Sequence, residues 1–267
     1  SRCPRSDPLR FREFDIDPLL LSGVDSAGYL EATPIQEHAI PVALRGQDVL
    51  GLAQTGTGKT AAFAIPILQH FIRATRAEVK STTPKKIKSL IIAPTRELAD
   101  QINKSVRTLG IRIHFSSLAL YGGVNKKPQE KALAKGVDLV VACPGRLLDH
   151  LTDQTISLSS VEILVLDEAD TMCDMGFFPD VRKILKYLPH QKQTLFFAAT
   201  MPQEIRELSA DLLDHPELVQ MDRIAPAKTV SHALYPTTGK MKKRMVIHLL
   251  KQTRTGQVMV ITRTKRR

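Results

Sequence analysis

The chain has no tryptophan, 5% aromatic residues and three cysteines in 267 positions. So few rings argue against a surface built to stack bases, as sheet-based single-strand binders use. Cys3, Cys143 and Cys173 are odd in number and far apart, which suggests neither a disulfide framework nor a zinc knuckle and fits a reducing, cytoplasmic-type compartment. The eight histidines show no ligand spacing. No apolar run approaches the roughly 18 residues of a membrane helix. The longest, residues 61–68, contains Pro66. The opening residues lack both the apolar centre of a signal peptide and an initiator Met, so the chain reads as a trimmed piece of a longer protein. Acidic residues are missing from 223–267, which hold 12 Lys or Arg, while residues 1–222 carry 26 basic and 27 acidic residues, net −1. The net charge of +11 therefore resides in the C-terminal stretch. Such a distribution suits a nucleic-acid contact or a solvated linker.

What the chain does contain is alternation. Short apolar runs at 49–53, 90–93, 115–121, 139–142, 163–166 and 194–198 read as strands. Most are continuous rather than alternating, as expected of strands covered on both faces. Helical patterns lie between them, at 59–73, 96–109, 129–135, 145–151, 179–188 and 203–212, after an N-terminal helical region at about 17–45. Strand–helix alternation predicts an α/β fold, a mostly parallel twisted sheet with helices on both faces. Ligands of such sheets bind beyond the carboxyl ends of the strands. Residues 223–239 read as a linker, 242–251 as a helix and 258–261 as a strand that opens a second, incomplete domain at 240–267.

Two motifs carry chemistry. Ala53-Gln54-Thr55-Gly56-Thr57-Gly58-Lys59-Thr60 follows an apolar strand and opens a helix, the context of a phosphate-binding loop. Glycines let backbone N–H groups turn toward phosphates, and the helix N-terminus adds partial positive charge. Lys59 is placed to reach the β- and γ-phosphates, and the Thr60 hydroxyl to bind Mg²⁺. Ala53 stands where the motif usually has its first glycine, which is tolerable if its φ is negative. Asp167-Glu168-Ala169-Asp170 follows Ile163-Leu164-Val165-Leu166, so acids sit at the carboxyl end of a buried strand. Asp167 is the candidate for holding Mg²⁺. Glu168 is the candidate for orienting and deprotonating an attacking water. Lys59 and Asp167 are expected to meet at neighbouring strand tips.

Residues 167–170 spell the name-giving motif of the DEAD-box RNA helicases, and from Phe11 to the C-terminus the chain resembles that family. The resemblance implies a RecA-like ATP-binding domain over 1–222. Gly28-Tyr29 and Thr33-Pro34-Ile35-Gln36 are similar to the adenine-reading Q motif. A Gln amide can pair with adenine N6 and N7 together, so Gln36 is expected to select ATP over GTP. Phe11 matches an aromatic that packs by the adenine. Pro94-Thr95-Arg96-Glu97, Gly122-Gly123 and Pro144-Gly145-Arg146 resemble elements that grip the RNA backbone without reading sequence. Cys143 stands where Thr is usual. Ala198-Ala199-Thr200 replaces Ser-Ala-Thr, whose hydroxyls bond the last acid of the tetrad, here Asp170. The missing hydroxyl predicts weaker coupling of ATP state to unwinding. No His-Arg-x-Gly-Arg stretch occurs, so the family's second domain and its arginine fingers are expected outside this chain, which alone would hydrolyse ATP slowly. An unwinding enzyme and an ATP-gated RNA clamp share all these motifs.

Overall fold

The computed structural model describes residues 9–77, 86–220, 233–252 and 258–261. The chain separates into one unit within 1–223 and another within 224–267. The first is a seven-stranded sheet in the order β3-β4-β2-β5-β6-β1-β7. Its strands are β1 (Val49–Leu52), β2 (Ser89–Ile92), β3 (Ser117–Leu120), β4 (Leu139–Ala142), β5 (Ile163–Leu166), β6 (Gln193–Ala198) and β7 (Glu217–Gln220). Every pairing is parallel. β2, β4 and β5 are buried at every position, which explains their uninterrupted apolar runs.

Side chains alternate between two cores, one on each sheet face. Ile163, Val165, Leu195 and Phe197 join one core with α1 (Pro18–Ser26), α2 (Pro34–Leu44), α3 (Lys59–Ala77) and α4 (Arg96–Leu109). Leu164, Leu166, Phe196 and Ala198 join the other, with α6 (Pro144–Thr152), α7 (Ala169–Asp174), α8 (Phe178–Leu185) and α9 (Gln203–Leu212). α5 (Lys127–Ala134) lies between β3 and β4 in the chain. The period of two carries the face of Ile163 and Val165 onward to Asp167, which puts that acid on the α3 side. Gly23 is where α1 crosses α4, and a Cβ there would lie 1.9 Å from the Leu109 carbonyl oxygen.

α4 and α9 run as the sequence predicts. β7 and the six-residue α7 were not expected. In β7 only Val219 is buried, because the strand lies at the sheet edge, so no apolar run marks it. The second unit contains α10 (Lys242–Gln252), none of whose residues is buried. Val258–Ile261 were expected as a strand but have no regular structure and are 51–84% exposed. A lone strand with no partner to complete its hydrogen bonds does not persist in water. Cys3, linker positions 223–232 and the C-terminal positions 262–267 lie outside the described residues.

Candidate nucleotide site and nucleic-acid face

The loop between β1 and α3 turns on two glycines with positive φ, Gly56 at 85° and Gly58 at 94°. Only glycine holds that conformation cheaply. At Gly58 the space is restricted as well, since a Cβ would lie 2.5 Å from Gln36 Nε2. Ala53 is not among the residues with positive φ, and its N–H donates to Ala198 O at 3.0 Å, extending the β1–β6 ladder. The alanine is thus compatible with the loop.

Lys59 opens α3 and is 6% exposed; Asp167 is 2% exposed. Lys59 Nζ lies 3.7 Å from Asp167 Oδ1. Neither atom has a hydrogen-bond partner among the described residues. The two side chains meet as expected, but not at neighbouring strand tips: β6 lies between β1 and β5. A buried ammonium and carboxylate oxygen left unbonded are costly unless a ligand completes them. These orphaned atoms, with a glycine loop at a helix N-terminus, fit a phosphate group and its Mg²⁺. Burial pushes the Asp167 carboxyl up to about 6, outweighing the opposing pull of Lys59. A carboxyl with a raised folded-state value holds its proton more tightly than in the unfolded chain, so this residue favours the empty fold as pH falls from about 6 toward 3.8. Metal binding needs the ionised form. Affinity for Mg·ATP should therefore fall about tenfold per pH unit below that value. Fluorescent-nucleotide titrations across the range will test this, with Asp167→Asn removing the dependence along with the tight binding.

Glu168 adopts a left-handed backbone, φ 52° and ψ 50°. Such a conformation is uncommon outside glycine and clusters at functional sites. Its Oε1 accepts from Thr55 Oγ1 at 2.8 Å, joining the acid motif to the glycine loop across 113 positions. Thr57 Oγ1 donates to Gln54 O at 2.8 Å. Gln36 is 1% exposed and already bonded at both ends of its amide. Its Oε1 accepts from Thr33 N at 2.9 Å, and its Nε2 donates to Gly58 O at 3.0 Å. One donor of Nε2 and one lone pair of Oε1 remain for pairing with adenine. Phe11, expected beside the adenine, is 1% exposed and sits edge-on between Phe14 and Tyr29, with ring centroids 5.7 and 5.8 Å away. Its ring belongs to the core here and offers no free face to a base. Asp170 Oδ2 accepts from Ala199 N (3.2 Å), Thr200 N (2.8 Å) and Thr200 Oγ1 (3.0 Å). The link between the tetrad and the tip of β6 thus exists without a hydroxyl at Ala198, which is fully buried in the core.

Of the residues expected at RNA, Arg96, Glu97, Gly122 and Gly123 are exposed, whereas Pro94 and Pro144 are buried. Thr95 caps α4, its hydroxyl accepting from Leu98 N at 3.2 Å. Arg96 lies over the Tyr121 ring, 5.0 Å from its centroid. Cys143 precedes α6; burial, then Glu97 and Asp100, push its thiol up to about 11, so it stays neutral at pH 7. Arg146 is turned inward, its side chain 11% exposed. It donates to Gln129 Oε1 and to Val124 O, both at 3.0 Å. Sequence reasoning missed Gln129 and His150, the buried polar residues behind it, because nothing in the spacing of one sequence separates them from surface positions.

A profile of the DEAD/DEAH box helicase family matches residues 33–208. The chain is 40% identical over 259 residues to the ATP-dependent RNA helicase CshA of Listeria monocytogenes, covering 97% of this chain and 48% of that protein. It is 40% identical over 263 residues to the ATP-dependent RNA helicase RhlB of Xanthomonas campestris, covering 96% and 45%. The chain spans about half the length of these relatives. Among solved structures, a DEAD box protein of the hyperthermophile Methanococcus jannaschii superposes with a TM-score of 0.73 at 32% identity, covering 91% of this chain and 63% of that one.

Proposed function

Because this chain belongs to the DEAD/DEAH box helicase family, we propose that it is the ATP-binding half of an ATP-dependent RNA helicase that works in the cytoplasm. In this reading residues 1–222, with the Q-motif region at about 11–45, are the RecA-like domain, 223–239 connect, and 240–267 begin a second such domain. The relatives' length, about twice that covered here, supports a second domain in cis. The observation that carries the reading is the buried Lys59–Asp167 pair with its two unbonded polar atoms.

Backbone N–H groups of 54–60 and the Lys59 ammonium bind and orient the triphosphate. Lys59 balances charge that builds on the γ-phosphoryl oxygens, inside a site that already excludes water from both partners. Thr60 and Asp167 would hold Mg²⁺, which when bound neutralises phosphate charge and polarises the transferred group. Glu168, steadied by Thr55, orients a water and accepts its proton at Oε. Gln36 senses the adenine edge and, through its bond to Gly58 O, ties base recognition to the phosphate loop. Exposed Arg96, Gly122 and Gly123, with the start of α6, form a face for RNA phosphates. Asp170 and Thr200 join the nucleotide side to the tip of β6. The relatives' names favour unwinding over clamping.

The test is a paired titration. ATP with Mg²⁺ should bind in preference to GTP, and labelled single-stranded RNA should bind with an affinity that falls steeply with salt, because phosphate contacts release counterions. Equal affinity for GTP, or RNA binding indifferent to salt, would overturn the assignment.

A further inference from the structure

Behind the exposed Gly122–Gly123 turn lies a closed polar cluster. Gln129 is 7% exposed and His150 is fully buried. Gln129 Nε2 donates to Tyr121 O at 3.2 Å, before the turn. Arg146 NH2 donates to Val124 O at 3.0 Å, after it. The turn is thus held at both ends. Gln129 Oε1 accepts twice, from Arg146 NH1 at 3.0 Å and from His150 Nε2 at 3.2 Å. This orientation of the amide is required, since turning it over would set its NH₂ against the Arg146 donor. It also sets the tautomer: Nε2 carries the proton, and Nδ1 lies 2.7 Å from Thr155 Oγ1, whose one hydrogen is shared with the His150 carbonyl oxygen at 3.1 Å. Burial, then Lys126 and Arg146, hold the His150 imidazole below its ordinary value, while Glu130 and Asp149 act the other way. The ring is neutral at pH 7 and serves as a fixed donor.

We infer that Gln129 and His150 are positioning residues for the RNA face: they fix the Gly122–Gly123 turn and the Arg146 guanidinium from inside, so that this part of the face offers backbone N–H groups to phosphates and Arg146 neutralises none. The inference rests on the functional reading above and sharpens it, because an arginine in this motif would otherwise be taken as a phosphate ligand. Arg146 is nearly enclosed, and two of its three nitrogens are hydrogen-bonded to Gln129 and Val124, whereas the two glycines stand in open space. Gly123 needs its positive φ of 76°, so the turn has one built conformation to preserve.

Salt dependence separates the two roles. Anisotropy of a labelled oligouridylate is measured with this chain over a salt series, with Mg²⁺ and a non-hydrolysable ATP analogue. Arg146→Gln should weaken binding about tenfold, the effect of roughly 1.4 kcal/mol, yet leave the slope of log affinity against log salt unchanged. Gln129→Leu and His150→Phe should do the same. A slope reduced by about 0.7 in Arg146→Gln marks a lost phosphate contact and overturns the inference. So do Gln129 and His150 variants that bind like the parent. Gln129→Glu keeps the volume and both acceptor bonds, which its charge strengthens toward Arg146, and turns the donor to Tyr121 into an acceptor. It should speed amide hydrogen exchange at 122–124, and unchanged exchange there counts against the inference. If the parent chain shows no salt-dependent RNA binding, the functional reading fails first and this inference with it. If the parent binds and only the variants disagree, the inference alone fails.

Discussion

Replacing Lys59 by alanine should lower the rate of ATP hydrolysis by about 10²–10³, the usual loss when one charge-stabilising donor is removed from a closed site. The effect has two sources. Among the described residues the ammonium is the one cation in contact with Asp167, and no hydrogen bond from them ties it down, so it is free to serve the phosphates. Its removal also strands Asp167, which burial already pushes up to about 6; without Lys59 the carboxyl rises further and is less ionised at neutral pH. The mutation therefore harms phosphate and metal binding together. Arginine is no remedy, because a planar fork does not fit the place of a compact point charge on a flexible stem. Single-turnover hydrolysis with RNA at saturating nucleotide is the measurement. A Lys59→Ala rate within threefold of the parent would mean that the pair is structural.

Asp48→Ala should destabilise the fold by about 1–3 kcal/mol, the cost of leaving the buried Thr194 N–H without its acceptor, with a smaller loss at the part-buried Asp214 N–H. Asp48 is 7% exposed, just before β1. Its Oδ1 accepts from Thr194 N at 2.7 Å and its Oδ2 from Asp214 N at 2.8 Å. Its backbone carbonyl accepts from Glu217 N at 2.9 Å. One carboxylate thus fastens the start of β6 and the approach to β7 to the start of β1. Asp48→Asn retains one acceptor and should lose less. Urea unfolding with matched slopes measures both; an alanine variant within about 0.5 kcal/mol of the parent, the spread of ordinary surface changes, would show that water replaces the carboxylate.

The fold was legible where burial is two-sided. β4 and β5 have the bounds that their apolar runs give, and α4 and α9 the bounds of their helical patterns. It was not legible at the edge, where β7 buries one residue in four. The chemistry was legible as motifs, because Lys59 and Asp167 each follow an apolar strand. What linear spacing cannot express is which atoms the protein already bonds. Gln36, expected at the adenine, uses one acceptor and one donor of its amide on Thr33 and Gly58 and keeps one of each. Arg146 was expected to face RNA, but it braces a turn. Phe11 was expected beside a base, but Tyr29 and Phe14 cover its ring. Strand order lies equally outside a linear reading: nothing in the letters places β6 between β1 and β5.

That interposed strand has a mechanical consequence. Lys59 and Asp167, which the proposed reading sets against the triphosphate, hang from ribbons whose shared neighbour leads into Ala198-Ala199-Thr200, and the same tip is fastened to Asp170 by three donors. In the proposed reading, a change in the gap between the two phosphate-handling ends strains this short peptide, and Asp170 would carry that strain into α7, which begins within the acid tetrad.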